Sequence, residues 1–515
     1  MAASTCLALV AKTVGDDVVA HVVPYVVTNV TNNDWHFKEA AVMAFGSVLE
    51  GPDPQALSSL IDEGIGVMVG CLKDASVHVK DTAAWALGRI CKFHMDHVLS
   101  DKHFNVVIQA ISEGLTDVPR VAASVCWALH ALCEEIKDEA SEVGMQMLTP
   151  VYQRLMELLI STIERRDAHE SKLRVGAFET VNSMVLVAPK DHLQILAQLT
   201  TYACDKLLKT FDMAVVSAED KKIKEQMQAS LCSTLHMLTP VLGANMVSQA
   251  DVIMELYIRA ISTNVASVQE EALLGISAMA GVTNAGFQKY LQVLMPYVFE
   301  ALRNAEEYEL CELAVGLVSE IYGACGKDMV PYGDQIVTLL LEALTNKSIK
   351  VRDVRPPILS CFGDIALAIA GQFEKYVPTV MEMLKFASET QVDLSDLDQI
   401  DYLNSLRVGI FDASTGILQG LKDDQKQALF VPYSTWMINF IGSIFNEEHD
   451  PHARVIRGAV GVLGDLAHTL GSDVKASINQ QFVSKIITSA LQSDDEETKE
   501  VAVWAKDVIV AVVSA

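Results

Sequence analysis

The sequence is poor in aromatics (6 %) and in charge (20 %), and within that charge it is poor in cations. Only 39 lysines and arginines stand against 66 aspartates and glutamates, a formal net charge of −27. A surface of that sign repels phosphate backbones, and no basic patch interleaved with aromatics offsets it, which argues against nucleic-acid binding. C-x-x-C pairs are missing. The ten cysteines are scattered, and Cys91, Cys126, Cys133, Cys232 and Cys361 sit among apolar neighbours. That is the pattern of buried thiols in a reducing compartment, not of a disulfide framework. The first ten residues lack the basic n-region of a signal peptide. No apolar run reaches the ~18 residues of a membrane span. Glycine-rich phosphate loops and G-x-S-x-G are absent, and with them the chemistries they serve. Histidines pair as His94 with His97 and as His449 with His452 around Asp450-Pro451, but no Glu or Cys completes a metal set. The sequence reads as a non-enzyme with no cofactor.

What is present is a repeat. In Lys80-Asp81-Thr82-Ala83-Ala84-Trp85-Ala86-Leu87-Gly88-Arg89-Ile90, the residues Ala83, Ala84, Leu87 and Ile90 mark one apolar helical stripe. Asp81 and Trp85, four apart, share another face. About 42 residues earlier the chain reads Lys38-Glu39-Ala40-Ala41-Val42-Met43-Ala44-Phe45-Gly46, and about 42 later Trp127 takes the place of Trp85. A fixed period of this size, with a similar helix in each unit, marks an all-α solenoid of antiparallel helix pairs. The expected pairs run from 17–31 with 34–50 to 475–492 with 496–513, and include 349–371 as a second helix. Asp34 and Ser76 are plausible N-caps. Thr390–Gln399 is the longest non-helical candidate, acidic and exposed. Val-Pro-Tyr or Met-Pro-Tyr recurs in first helices at Pro24, Pro296, Pro331 and Pro432. Phe362-Gly363-Asp364-Ile365-Ala366 is echoed by Leu463-Gly464-Asp465-Leu466-Ala467 in second helices. Residues 1–515 are therefore expected to form one continuous solenoid. It opens on a partial repeat at 1–15, which points to a start inside a longer protein, and closes on a capping repeat at 474–515.

Several stretches resemble the importin-β family. They include Asp34-Trp35, Leu49-Glu50-Gly51-Pro52, Asp81-Thr82-Ala83-Ala84-Trp85 and Val125-Cys126-Trp127. Asp401-Tyr402-Leu403-Asn404 and Ala502-Val503-Trp504-Ala505 continue the series in order. The resemblance implies a right-handed superhelix of HEAT repeats, of which this chain would hold about eleven and a half. It implies a nuclear transport receptor that wraps the basic helical segment of an importin-α-type adaptor, or a basic cargo. It also implies phenylalanine-glycine nucleoporins at a secondary site near residues 286–345, and a monomer found in cytoplasm, nucleus and nuclear envelope. The main contacts to the Ran GTPase, an acidic loop and the better-known nucleoporin site are expected in earlier repeats that this sequence does not contain.

The resemblance assigns Trp85, Trp127 and Trp504 to adaptor binding, as flat faces for guanidinium groups and alkyl stems. The other reading is that each is a core residue. Register favours the inner surface for the first two. Met43, Trp85, Trp127 and Glu179 occupy one column, and a core would not tolerate that carboxylate unpaired. Glu39, Asp81, Glu179, Asp364, Asp412 and Asp465 all fall on second helices. They either receive the lysines and arginines of a basic ligand or form a ladder of salt bridges with neighbours such as Lys38, Lys80 and Arg89. The alternative function is a HEAT scaffold that assembles folded partners on its convex ridges.

Overall fold

A computed structural model describes residues 2–304, 307–346, 352–446 and 451–514. Among them there are helices, turns and no strand. His449, Asp450 and the expected start of a helix at 349 lie outside the described residues. The chain divides into two compact units, Met1–Met246 and Val247–Ala515.

In the first unit a lone helix, Ala2–Val14, precedes five pairs. They are Asp17–Asn29 with Trp35–Ser47, Pro54–Cys71 with Val77–Phe93, and Phe104–Gly114 with Pro119–Asp138, then Glu142–Ile163 with Leu173–Leu186, and Leu193–Phe211 with Ala218–Leu242. The second unit holds six among its described residues. Its second helices are Ala266–Thr283, Tyr308–Cys325, Arg355–Ile369, Leu397–Asp423, Ala453–Leu470 and Glu496–Ser514. In each unit the backbones of consecutive second helices approach one another far more closely than those of the first helices do. A layered array that is tighter on one side curves toward that side, so the second helices form the inner layer of each unit.

The helix Val77–Phe93 shows how sequence sets this up. Ala83, Ala84, Leu87 and Ile90 are fully buried, which for each of the two larger side chains is worth roughly 1.5–3 kcal/mol. The helix stops at His94, whose buried ring holds the Leu49 carbonyl at 2.8 Å and ties the helix end to the previous repeat. Burial pushes the His94 imidazole below its ordinary range, so it stays neutral. Leu87→Ala would empty a filled site at a cost of ~2–5 kcal/mol. N-capping follows expectation at Asp34, which accepts from the His36 amide at 3.0 Å. At Ser76 it does not: the serine makes no cap bond, and Asp74 instead accepts the Ser76 amide at 2.8 Å.

The segment Arg355–Lys375 is long and apolar enough to cross a membrane by length and composition. Alanine, glycine and isoleucine keep its average high although Asp364 interrupts the run. It is mostly buried inside the protein (67 %), as a core helix is.

Candidate inner binding surface

The three tryptophans share one seat. A Cβ added to Gly46 would lie 2.5 Å from the Trp85 ring, one added to Gly88 2.3 Å from the Trp127 ring, and one added to Gly464 2.3 Å from the Trp504 ring. Each indole thus lies on the glycine of the preceding second helix, filling the space that a missing side chain leaves. Trp85 and Trp127 are half-buried and Trp504 is 40 % exposed. None is a pure core residue and none is a free surface residue. Met43 in the same column is half-buried, and Glu179 is exposed. One ring already has a cation beside it: the Arg89 guanidinium lies 5.8 Å from the Trp85 centroid and 4.6 Å from that of Phe93.

The acids separate by unit. In the first, Asp81 accepts from Arg120 Nε at 2.5 Å and from Ser124 Oγ at 2.6 Å, and Glu39 accepts from Thr82 Oγ1 at 3.0 Å. A ladder runs beside them. Lys38 pairs with Asp74 and Lys80 with Asp117, each at 2.7 Å, while Arg89 reaches Glu50 at 3.4 Å. Glu179 stands apart from this ladder. In the second unit the acids meet hydroxyls and amides. Ser360 Oγ donates to Asp412 at 3.1 Å, and Gln419 Nε2 to Asp465 at 3.3 Å. Among the described residues none of Asp364, Asp412 and Asp465 forms a salt bridge.

That difference moves their protonation. Asp364 and Asp412 are solvent-exposed, yet the protein packed beside them disfavours the charged form and raises both carboxyls above the usual range. Bonds from Ser319 and Ser360 oppose the shift, and Asp364 adds a like charge beside Asp412. Asp465 is 7 % exposed and is also raised by burial, against bonds from Gln419 and Thr415 and the nearby His468 and Lys422. It is sealed in, so a ligand would not reach it without rearrangement.

Sequence reasoning missed a separate node on the first helices. Asp62 accepts from Lys102 at 2.5 Å and from His103 at 2.8 Å, with His97 at 3.8 Å. Its carboxyl is held down to about 2 by those bonds. The partners lie some 40 positions away in the next repeat, and only His97 carried any signal in the sequence.

The family described as importin subunit beta-1-like, TPR repeats matches residues 106–491, and a HEAT-like repeat matches residues 35–90. The chain belongs to the importin-β family. It is 36 % identical to importin subunit beta-1 of Arabidopsis thaliana over 100 % of its own length and 60 % of that protein. It superposes with a TM-score of 0.93 on importin β crystallised in ammonium sulfate, at 32 % identity, covering 99 % of this chain and 60 % of that one. On Kap95 of the Kap95:Nup1 complex the TM-score is 0.86 at 28 % identity, covering 100 % of this chain and 59 % of that one. The chain thus spans about 60 % of the length of these importin-β relatives.

Proposed function

We propose that the chain is part of a nuclear transport receptor moving between cytoplasm and nucleus. In this reading it holds a basic segment, from an importin-α-type adaptor or a basic cargo, on the inner layers of its units. The observation that carries the reading is the set of acids without cations. Asp364 and Asp412 are solvent-exposed, have serine hydroxyls and no cation for partners, and have carboxyls raised by the protein packed beside them, so an incoming lysine or arginine would find them accessible and unpaired. Glu179 and the half-open rings of Trp85 and Trp127 add charge and flat faces. Glu39 and Asp81 belong to the set as acids that would exchange an internal partner for an external one. Trp504 belongs to it at the last repeat, and Asp465 would reach the ligand through Gln419. The net charge of −27 speeds encounter with a basic ligand.

The second part of the reading is a nucleoporin site on the first-helix side. An apolar cleft of ≈ 390 Å³ opens where Leu344, Met383, Phe386, Tyr402 and Leu406 meet. Phe386 is 68 % exposed there. A phenylalanine of a phenylalanine-glycine repeat would bury its ring in this cleft, which begins at the end of the stretch 286–345 named from the sequence and extends past it.

Titration of the chain with a polybasic amphipathic helix at two salt concentrations tests the first part. Affinity should fall steeply as salt rises. A salt-insensitive interaction confined to folded partners would favour the scaffold reading instead.

A further inference from the structure

In a chain with 66 acids and 39 basic residues, lysines readily find carboxylates. Two that do not line one cavity. It measures ≈ 450 Å³ and lies in the first unit, between the turn entering the helix Leu173–Leu186 and the opening turns of the helix Ala218–Leu242. Lys172, Arg174 and Lys222 are among the residues that line it. Among the described residues neither lysine holds an ion pair or a hydrogen bond. His169 is a further basic group on the wall, and Glu219 is the one acid lining the cavity.

The turn that carries Lys172 and Arg174 is fixed in place. Ser171 and Lys172 are consecutive non-glycine residues in the left-handed region, with φ of 51° and 58°, a conformation costing roughly 1–3 kcal/mol per residue. The turn is held by the Arg174 amide, which donates to the Ala168 carbonyl at 2.8 Å. Arg174 itself donates Nε to Ile163 O at 3.1 Å and Nη2 to Arg165 O at 3.2 Å. Its charge therefore rests on neutral carbonyls. Glu164, the acid that acts on it, is already taken by Lys206 at 2.6 Å and by the Tyr202 hydroxyl at 2.5 Å. Val175, Ile223 and Met227 supply apolar lining to the same cavity.

We propose that this cavity binds a phosphate monoester carried on an apolar or aromatic body. Three cations around one space suit a dianion with three acceptor oxygens better than a single carboxylate. The volume lies within the range of small-ligand sites, with room beyond the phosphate for a body against the apolar lining. Glu219 and Gln226 are placed to accept from hydroxyl or amine groups on that body.

The test is calorimetry of the intact chain at low salt with phenyl phosphate, inorganic phosphate and phenol. Phenyl phosphate should saturate one site, inorganic phosphate should bind at least about tenfold more weakly, and phenol should not bind measurably. The double variant Lys172→Gln, Lys222→Gln should weaken phenyl phosphate at least about tenfold with an unchanged melting temperature. The control Lys485→Gln, Lys506→Gln should bind as the parent does. Adenosine monophosphate compared with a phosphotyrosine peptide tells a free nucleotide from a modified partner as the source, and saturation by either supports the site. Absence of saturable phenyl phosphate binding, or equal losses in the two double variants, overturns the proposal.

Discussion

Between Gly46 and Trp85, and again between Gly88 and Trp127, an indole fills the gap separating neighbouring second helices. Between Arg355–Ile369 and Leu397–Asp423 nothing fills it, because there is no gap. A Cβ on Gly416 would lie 2.5 Å from the Gly363 Cα, and one on Gly420 2.2 Å from the Ala366 carbonyl oxygen. These two joints of the first unit are thus filled by side chains, and this part of the second unit joins its repeats backbone to backbone. Among the described residues of the second unit, an indole fills a joint at the last pair alone, where Trp504 lies on Gly464. The charges follow suit. Where side chains span the joint, lysines and arginines reach the acids of the next repeat. Where backbones touch, serine hydroxyls are the partners of Asp364 and Asp412. One repeat pattern therefore yields acids tied to cations at the first joints of one unit, Glu179 aside, and carboxylates without a salt bridge in the other.

Substitutions at the joints probe this contrast most strongly. Gly420→Ala should destabilise the chain by about 3 kcal/mol, toward the upper end for overpacking, since two backbones must part. Gly46→Ala should cost less, because the Trp85 ring can shift. Equal costs, measured by chemical denaturation, would break the distinction between the two kinds of joint. Trp127→Ala should cost about 2 kcal/mol, under the ~3–5 of a fully buried aromatic. It should also weaken a basic helical peptide by ~0.5–2 kcal/mol. A full core penalty with unchanged peptide affinity would remove Trp127 from the binding surface.

A backbone prediction comes next in size. Second helices leave through a positive φ at Gly326 and Gly471 in the second unit, but at Ala370 the same turn carries a side chain at φ 52°. Ala370→Gly should stabilise by ~1 kcal/mol through relief of that strain, and Gly326→Ala should destabilise by a similar amount. Thermal unfolding of both variants checks the pair.

The smallest effects concern the acids, and they differ in sign. Asp81→Asn removes a partner of Arg120 and should lower stability by under ~1 kcal/mol. Asp412→Asn should raise the melting temperature slightly at neutral pH. The folded-state carboxyl titrates above its unfolded value, so the folded chain holds the extra proton in the window between the two. Its ionised form is penalised above that window, and stability recovers as pH falls through the raised value toward ~4. The gain from Asp412→Asn should therefore fade on acidification. Equal pH profiles for parent and variant would show that Asp412 carries no such penalty.

The period, the helix pairs and the family were legible from residues alone. They rest on local patterns: an apolar stripe at helical spacing, a glycine and an acid recurring at fixed offsets, a proline near a helix start. The column of Met43, Trp85, Trp127 and Glu179 could be drawn from that register before any coordinate was known. Its meaning could not. Whether Asp81 is held by Arg120, whether Asp465 is sealed, and whether Lys172 and Lys222 face one cavity all depend on side chains some 40 residues apart. The distance and angle between repeats set those contacts, and Gly46, Gly88 and Gly416 set that distance. A sequence repeat places each acid on its helix; only the packing of that helix against the next decides whether a cation reaches it.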